Sequence, residues 1–449
     1  MNKRRLLVIL LTLSLSACSW FPSWMGGDKK EPPKKLEGER IAVLPVNNGF
    51  EPDDSLKNTP VTLPAPLENA DWTQHTGGLT ASTGNLAAKG DLSHITHAQA
   101  GDGEEFESQL LIRPVVGTTP AGSTVFAMDA VGNISAHDAT DIGKIRWQSK
   151  GVSEEDEPLI MGGGMAYDDG KLYAVSGRGI VVAIDAATGK EIWRKAIRVP
   201  FRSAPRVAAG RLFATTLDSQ VYALNTATGD IVWTHRGISE SAGLLNLVSP
   251  AVTGDMVIVP YGSGELYALG IADGKELWNE SLMPDKRTQA GAVFTDIGGD
   301  PIIDGSVVIA VSSGRLTSVF NMANGQRLWN RPIGSINTPW LAGDYLFMLA
   351  SDNTLVGMVK YDGRIRWATK LATFANEKDK KDPITWHGPV MVSGQLAVVG
   401  SNGQLVLVNA ADGTIAKTIP VEENIFTSPV VAGGRMYLVG QDATLYELQ

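Results

Sequence analysis

The stretch YALNTATGDIVW, residues 222–233, reads as a short strand, a tight turn and a second strand ending in Trp233. Nearly the same text stands at VAIDAATGKEIW, residues 182–193. In both, apolar residues alternate on either side of a turn. This is the pattern of a hairpin that buries one face, with Gly or Asn taking the positive φ that a tight turn needs. A Gly followed four residues later by Trp recurs at Gly143/Trp147, Gly189/Trp193, Gly229/Trp233, Gly274/Trp278, Gly325/Trp329 and Gly363/Trp367. Six of the eleven tryptophans obey this spacing, so the pattern is a repeat.

A second landmark fixes the period. Apolar strands begin near Thr124, Lys171, Arg211, Met256, Val307, Tyr345, Leu396 and Met436, and many follow a Pro that opens another strand, as at Pro114, Pro205, Pro250, Pro301, Pro389 and Pro429. Each unit therefore holds four strands in about 40–50 residues, the size of a propeller blade. A lone blade cannot cover its own apolar faces, so the sheets must repeat until they pack around a circle. The expected fold is all-β, an eight-bladed propeller of four-stranded antiparallel blades, with the tryptophans packed between neighbours. The seventh unit carries Lys417 where Trp is expected, which predicts the least well sealed junction. The eighth unit stops at TLYELQ, one strand short. Pairing of the N- and C-terminal strands would close the ring and hide its edges, and ENADWTQH, with Trp72, is the segment expected to supply the missing strand.

The chain opens with MNKRR and an apolar run from Leu6 to Leu15, the pattern of a signal peptide over residues 1–17 and too short to span a bilayer. LSAC, Leu15–Cys18, resembles the lipobox of bacterial lipoproteins. The resemblance implies that Cys18, the only cysteine, is lipidated, and that Ser19 directs the protein to the outer membrane. Several acyl chains give a stable anchor where one is marginal. Residues 18–66 are rich in Pro and charge and read as a flexible tether, with the propeller following over 67–449. Without further cysteines, no disulfide braces the domain.

The formal charge is −9, from 39 basic and 48 acidic residues. Loss of Lys3, Arg4 and Arg5 with the signal peptide leaves 36 against 48, or −12. That balance argues against a nucleic-acid partner.

The A-x-D/N-A-x-T-G-x-x-x-W units resemble the repeat of propellers named for pyrroloquinoline quinone, over roughly residues 67–449. Two families share it. The quinone-dependent dehydrogenases add a bound quinone, a calcium site, a catalytic Asp and often a vicinal Cys pair, which one cysteine cannot form. The signal peptide, lipobox, tether and single eight-bladed domain together resemble the BamB family of outer-membrane assembly factors. That resemblance implies a noncatalytic scaffold without cofactor, held by lipid at the periplasmic face of the outer membrane. It would dock on the POTRA domains of BamA within the barrel-assembly complex and assist nascent barrel proteins. The alternative is a quinone-dependent dehydrogenase or another small-ligand-binding periplasmic propeller.

In the assembly-factor family, BamA contacts gather on two inter-blade loops, one with Leu-x-Leu-Arg before a strand-opening Pro and one with Asp-x-Asp before the next. Counting back from Pro250 gives Leu244, Leu245 and Leu247, without the Arg; counting back from Pro301 gives Asp296, with Gly298 in place of the second acid and Asp300 two residues on. Three leucines in a Gly/Ser-flanked loop also read as a binding patch, or else tuck into the blade interface. His94 and His97 lack an acidic or Cys partner at ligand spacing and read as a polar loop. MGGGM, residues 161–165, lacks the Lys and Ser/Thr of a phosphate loop and reads as a strand bend, and NEKDKKDP, residues 376–383, as a charged loop insertion.

Overall fold

The structure is a computed structural model that describes residues 50–57, 59–81, 84–103, 111–153, 162–238, 248–282, 296–314, 316–422 and 424–449. Eight four-stranded antiparallel sheets follow one another as the blades of a propeller. Blades 1 to 7 cover 115–149, 163–196, 206–236, 251–281, 302–331, 340–370 and 386–420. Blade 8 combines Val430–Ala432, Arg435–Val439 and Thr444–Leu448 with Ile95–Gln99 from the other end of the chain. The first strands of neighbouring blades approach one another and so line the hub.

The repeat's two landmarks meet across the blade boundary. Each of the six repeat tryptophans donates its indole N–H to a carbonyl in the next blade's last turn: Trp147 to Ala186 at 3.0 Å, Trp193 to Thr226 at 2.9 Å, Trp233 to Ile271 at 2.9 Å, Trp278 to Met322 at 2.8 Å, Trp329 to Lys360 at 3.1 Å and Trp367 to Ala410 at 3.0 Å. The ring then lies against that turn's glycine. A Cβ on Gly229 would stand 2.6 Å from Trp193, and φ there is +73°, so only Gly satisfies both the turn and its neighbour. Gly and Trp recur together because the Trp of one blade packs on the Gly of the next.

At the seventh junction Lys417 replaces the indole. Its Nζ reaches the Asp91 carboxylate at 2.7 Å and the Asp91 carbonyl at 3.1 Å, with the Asp91 side chain exposed and that of Lys417 half-buried. A partly exposed ion pair thus stands where six junctions have a buried or half-buried ring, and such pairs contribute little.

The ring closes through its termini, but with a different strand from the one expected. Ile95–Gln99 pairs antiparallel with Thr444–Leu448, and His94 and Gln449 exchange both backbone hydrogen bonds, at 3.1 and 3.0 Å. His94 and His97 therefore belong to the closing strand and its approach, not to a loop; the His97 ring lies 6.2 Å from that of Tyr446. Trp72 lies elsewhere because no turn Gly precedes it by four residues, so it lacks the feature that marks an outer-strand Trp.

Trp72 belongs instead to a strap, residues 69–89, that runs once around the hub. Asn69 O accepts from Gly433 of blade 8 at 2.7 Å, Trp72 exchanges two bonds of 2.8 Å with Val116 of blade 1, and Thr73 O accepts from Tyr167 of blade 2 at 2.8 Å. The Gln74 side chain takes both backbone groups of Val207 in blade 3, at 3.2 and 3.4 Å. Leu79 O and Thr80 O accept from Val252 of blade 4 and Ile303 of blade 5, at 2.9 and 3.0 Å. Gly84 donates to Leu341 of blade 6 at 2.7 Å, Leu86 accepts from Ser393 of blade 7 at 2.7 Å, and Lys89 returns to Gly434 of blade 8 at 2.6 Å. Buried backbone groups need partners, and the strap takes its own from the inner edge of every blade.

Residues 50–66, read from composition as tether, lie against blade 6 where described. Asp53 N donates to Ile365 O at 2.8 Å, Arg364 Nη1 donates to Ser55 Oγ at 3.0 Å, Leu56 is buried, and Phe50 packs on the blade's core. The compact unit begins at Asn48. Elsewhere, Gly163 and Gly164 sit in the first strand of blade 2, and Gly164 faces Ala204 so closely that a Cβ would stand 2.6 Å from its methyl. The charged insertion is a small hairpin of Phe374–Asn376 and Lys381–Pro383.

Candidate functional site

The expected contact loops enter the first strands of blades 4 and 5. Leu244, Leu245 and Leu247 lie outside the described residues, as does Cys18. Asp296 and Asp300 are described, and each meets an arginine that enters blade 3. The spacing matches on both sides, Arg202 and Arg206 against Asp296 and Asp300. Arg202 Nη2 donates to Asp296 Oδ2 at 3.0 Å, with the carboxylate 3% and the guanidinium side chain 12% exposed.

The inner pair is fully buried. Asp300 Oδ2 accepts from Arg206 Nη2 at 2.9 Å, from His75 Nδ1 at 3.1 Å and from Thr76 Oγ1 at 3.3 Å, while Oδ1 accepts from the Ser249 backbone N–H at 2.8 Å. Arg206 also donates through Nε to Pro250 O at 2.7 Å and through Nη1 to Gly78 O at 2.5 Å. One ion pair therefore joins blade 3, the strap and the entries to blades 4 and 5. Burial alone would raise the Asp300 pKa, but His75, Arg206 and Ser249 outweigh it and hold the carboxyl below its usual range. Burial, with Arg113 nearby, holds His75 below its usual value, so it is neutral and donates Nδ1–H.

This placement bears on the expected roles. A partner meeting these loops meets the backbone that the carboxylates hold, since neither carboxylate faces water. Asp300 fixes Ser249, two residues after Leu247, and Asp296 directly follows segment 283–295. Arg202, Arg206 and His75 escaped the sequence reading. The legible signal was the shared spacing of four in RSAPR and DIGGD.

The hub is occupied by the chain itself. Trp72 from the strap stacks on Trp340 from blade 6, with centroids 6.2 Å apart, planes at 14°, and the residues 2% and 3% exposed. A flat quinone at the axis would have to displace that stack, so these residues do not fit a quinone there. Among the described residues, no three His, Cys, Asp or Glu side chains gather as a metal site.

These features define a class: a propeller of quinone-type repeats whose hub is filled by its own leading segment. The family model described as outer membrane protein assembly factor BamB matches residues 130–369 and 371–449, and the chain belongs to that family. Outer membrane protein assembly factor BamB of Yersinia pestis is 27% identical, over 72% of this chain and 82% of that protein. Its counterpart in Burkholderia pseudomallei is 26% identical, over 79% and 87%. Among solved structures, BamB from Moraxella catarrhalis matches with a TM-score of 0.62 at 18% identity, covering 79% of this chain and 98% of that one. A quinohemoprotein alcohol dehydrogenase from Comamonas testosteroni matches with 0.65 at 13% identity, covering 84% and 80%. Both likenesses are to the fold.

Proposed function

We propose that this chain is a noncatalytic scaffold of outer-membrane barrel assembly, held by lipid on Cys18 at the periplasmic face and docking on the POTRA domains of BamA. In this reading residues 1–17 are the signal peptide, and the tether is the part of the chain that precedes the compact unit at Asn48. Leu244, Leu245 and Leu247 meet the partner, and Asp296 and Asp300 act from inside by holding the ends of the contact loops. The observation that carries the reading is the family match over most of the chain, joined to the paired Arg/Asp network beside those loops. The dehydrogenase alternative draws on a fold-level likeness, and the Trp72–Trp340 stack stands against it.

Co-purification from detergent-solubilised membranes tests the proposal. The tagged chain should recover a BamA-type barrel protein, and Leu244→Asp with Leu245→Asp should weaken recovery without lowering the melting temperature. Absence of any barrel protein from the wild-type eluate, or dye reduction with an alcohol after adding pyrroloquinoline quinone and calcium, would sink it.

A further inference from the structure

The buried polar cluster at the hub holds two guanidiniums to one carboxylate. Arg206 has Asp300, but Arg113 has only neutral acceptors among the described residues: its Nη1 donates to His75 O at 3.2 Å and its Nη2 to Ser428 Oγ at 3.0 Å. Desolvation weakens its hold on the proton, pulling its pKa down to about 10, with Asp300 opposing and Arg206 adding to the fall. An enclosed cation without a counter-charge is costly unless something supplies one. Arg113 nevertheless keeps a partly exposed surface.

Two further groups on the segments that adjoin Arg113 lack partners. Thr427, 2% exposed, has a buried Oγ1 with no hydrogen bond, and His387 has a buried Nε2 with none. The His387 ring lies 6.1 Å from that of Phe426, the neighbour of Thr427, and Arg113 acts on His387 through its charge. Arg113, His387 and Thr427 with Ser428 stand at the entries to the first strands of blades 1, 7 and 8, which adjoin around the ring. Unpaired buried donors beside an unneutralised guanidinium are what an anion would satisfy.

We propose that the hub mouth between blades 7, 8 and 1 binds a small oxyanion, a carboxylate or phosphate group, through Arg113 with Thr427, Ser428 and His387. Arg113 supplies the charge and its planar fork, the hydroxyls and the imidazole supply further donors, and the strap's His75 carbonyl fixes the guanidinium. The bound group brings the cluster to two cations and two anions.

The test titrates the full chain in detergent with sodium phosphate and, separately, sodium acetate, with sodium chloride at matched ionic strength as the control. The readouts are the melting temperature and the His387 imidazole resonances. Phosphate, acetate or both should raise the melting temperature in a saturable way that chloride does not reproduce; which does so identifies the source of the oxyanion. The His387 pKa, held at about 3 by burial and the Arg113 charge, should rise as the anion offsets that charge. Arg113→Gln should weaken binding roughly tenfold or more, as loss of a charge-assisted contact requires. Thr427→Val should weaken it while leaving the salt-free melting temperature equal or higher, because it removes an unpaired hydroxyl. Equal responses to all three salts, or a Thr427→Val chain that keeps the full phosphate response, would overturn the proposal and leave water as the partner of these atoms.

Discussion

At Gly229 the turn and its neighbour make separate demands, and two substitutions tell them apart. Gly210 has nearly the same φ, +70°, but a Cβ there would meet only the Thr226 hydroxyl at an ordinary 4.0 Å, whereas at Gly229 the Cβ would meet Trp193 at 2.6 Å. Gly210→Ala should cost about 1–2 kcal/mol from left-handed strain alone. Gly229→Ala should cost about 1–3 kcal/mol more by overpacking, read as the difference in urea unfolding. Asp300 tests the buried network in the same way. Asp300→Asn keeps the shape but strands Arg206 beside a neutral group, and should cost about 3–5 kcal/mol. Asp296→Asn should cost less, because Arg202 keeps some access to water. Equal losses at the two aspartates would show that burial does not set their importance.

The strap is the element that sequence periodicity could not show. NADWTQHTGGLTASTGNLAAK has neither a 2.0 nor a 3.6 repeat, since it passes from one blade to the next and offers each only one or two groups. Gly, Thr and Ser in such a run read as loop, and the hub position of Trp72 rests on partners dispersed across the whole chain. The blades, by contrast, were legible because each hairpin carries its own turn Gly and its own Trp. The site was legible in part. Asp296 and Asp300 are expected from the loop pattern, but the arginines that pair with them sit 94 residues away and are joined to them only by the fold. The strap gives a prediction at its own scale. Trp72→Ala removes a ring that is 2% exposed and should cost about 3–5 kcal/mol, with faster thermolysin cleavage within 69–89. Unchanged cleavage would mean that the strap holds without its aromatic anchor.

Over the whole molecule, buried histidines set the response to acid. His75, His137 and His387 all titrate below the ordinary histidine value, chiefly through burial. Each stays neutral in the folded chain while its unfolded counterpart takes up a proton below about pH 6.5. The stability they preserve is therefore complete above that pH and falls as pH drops toward the folded values. Each contributes up to about 1.4 kcal/mol per pH unit. Carboxylates with depressed pKa values, Asp300 and Asp138 among them, extend the loss to lower pH. The urea midpoint should be higher at pH 7.5 than at pH 5, and His387→Gln should reduce the difference; a midpoint unaffected by that pH change would refute the assignment.

The strap is made first and finished last. Residues 69–89 precede every blade in the sequence, yet their partners extend to Gly433 and Gly434 of blade 8. A ribosome that stops early releases a chain whose leading segment has lost its final contacts, leaving Trp72 and the neighbouring amides open to proteases. Circling the axis thus ties the cover of residues 69–89 to the whole ring, because only when the eighth blade is in place are both ends of the strap held.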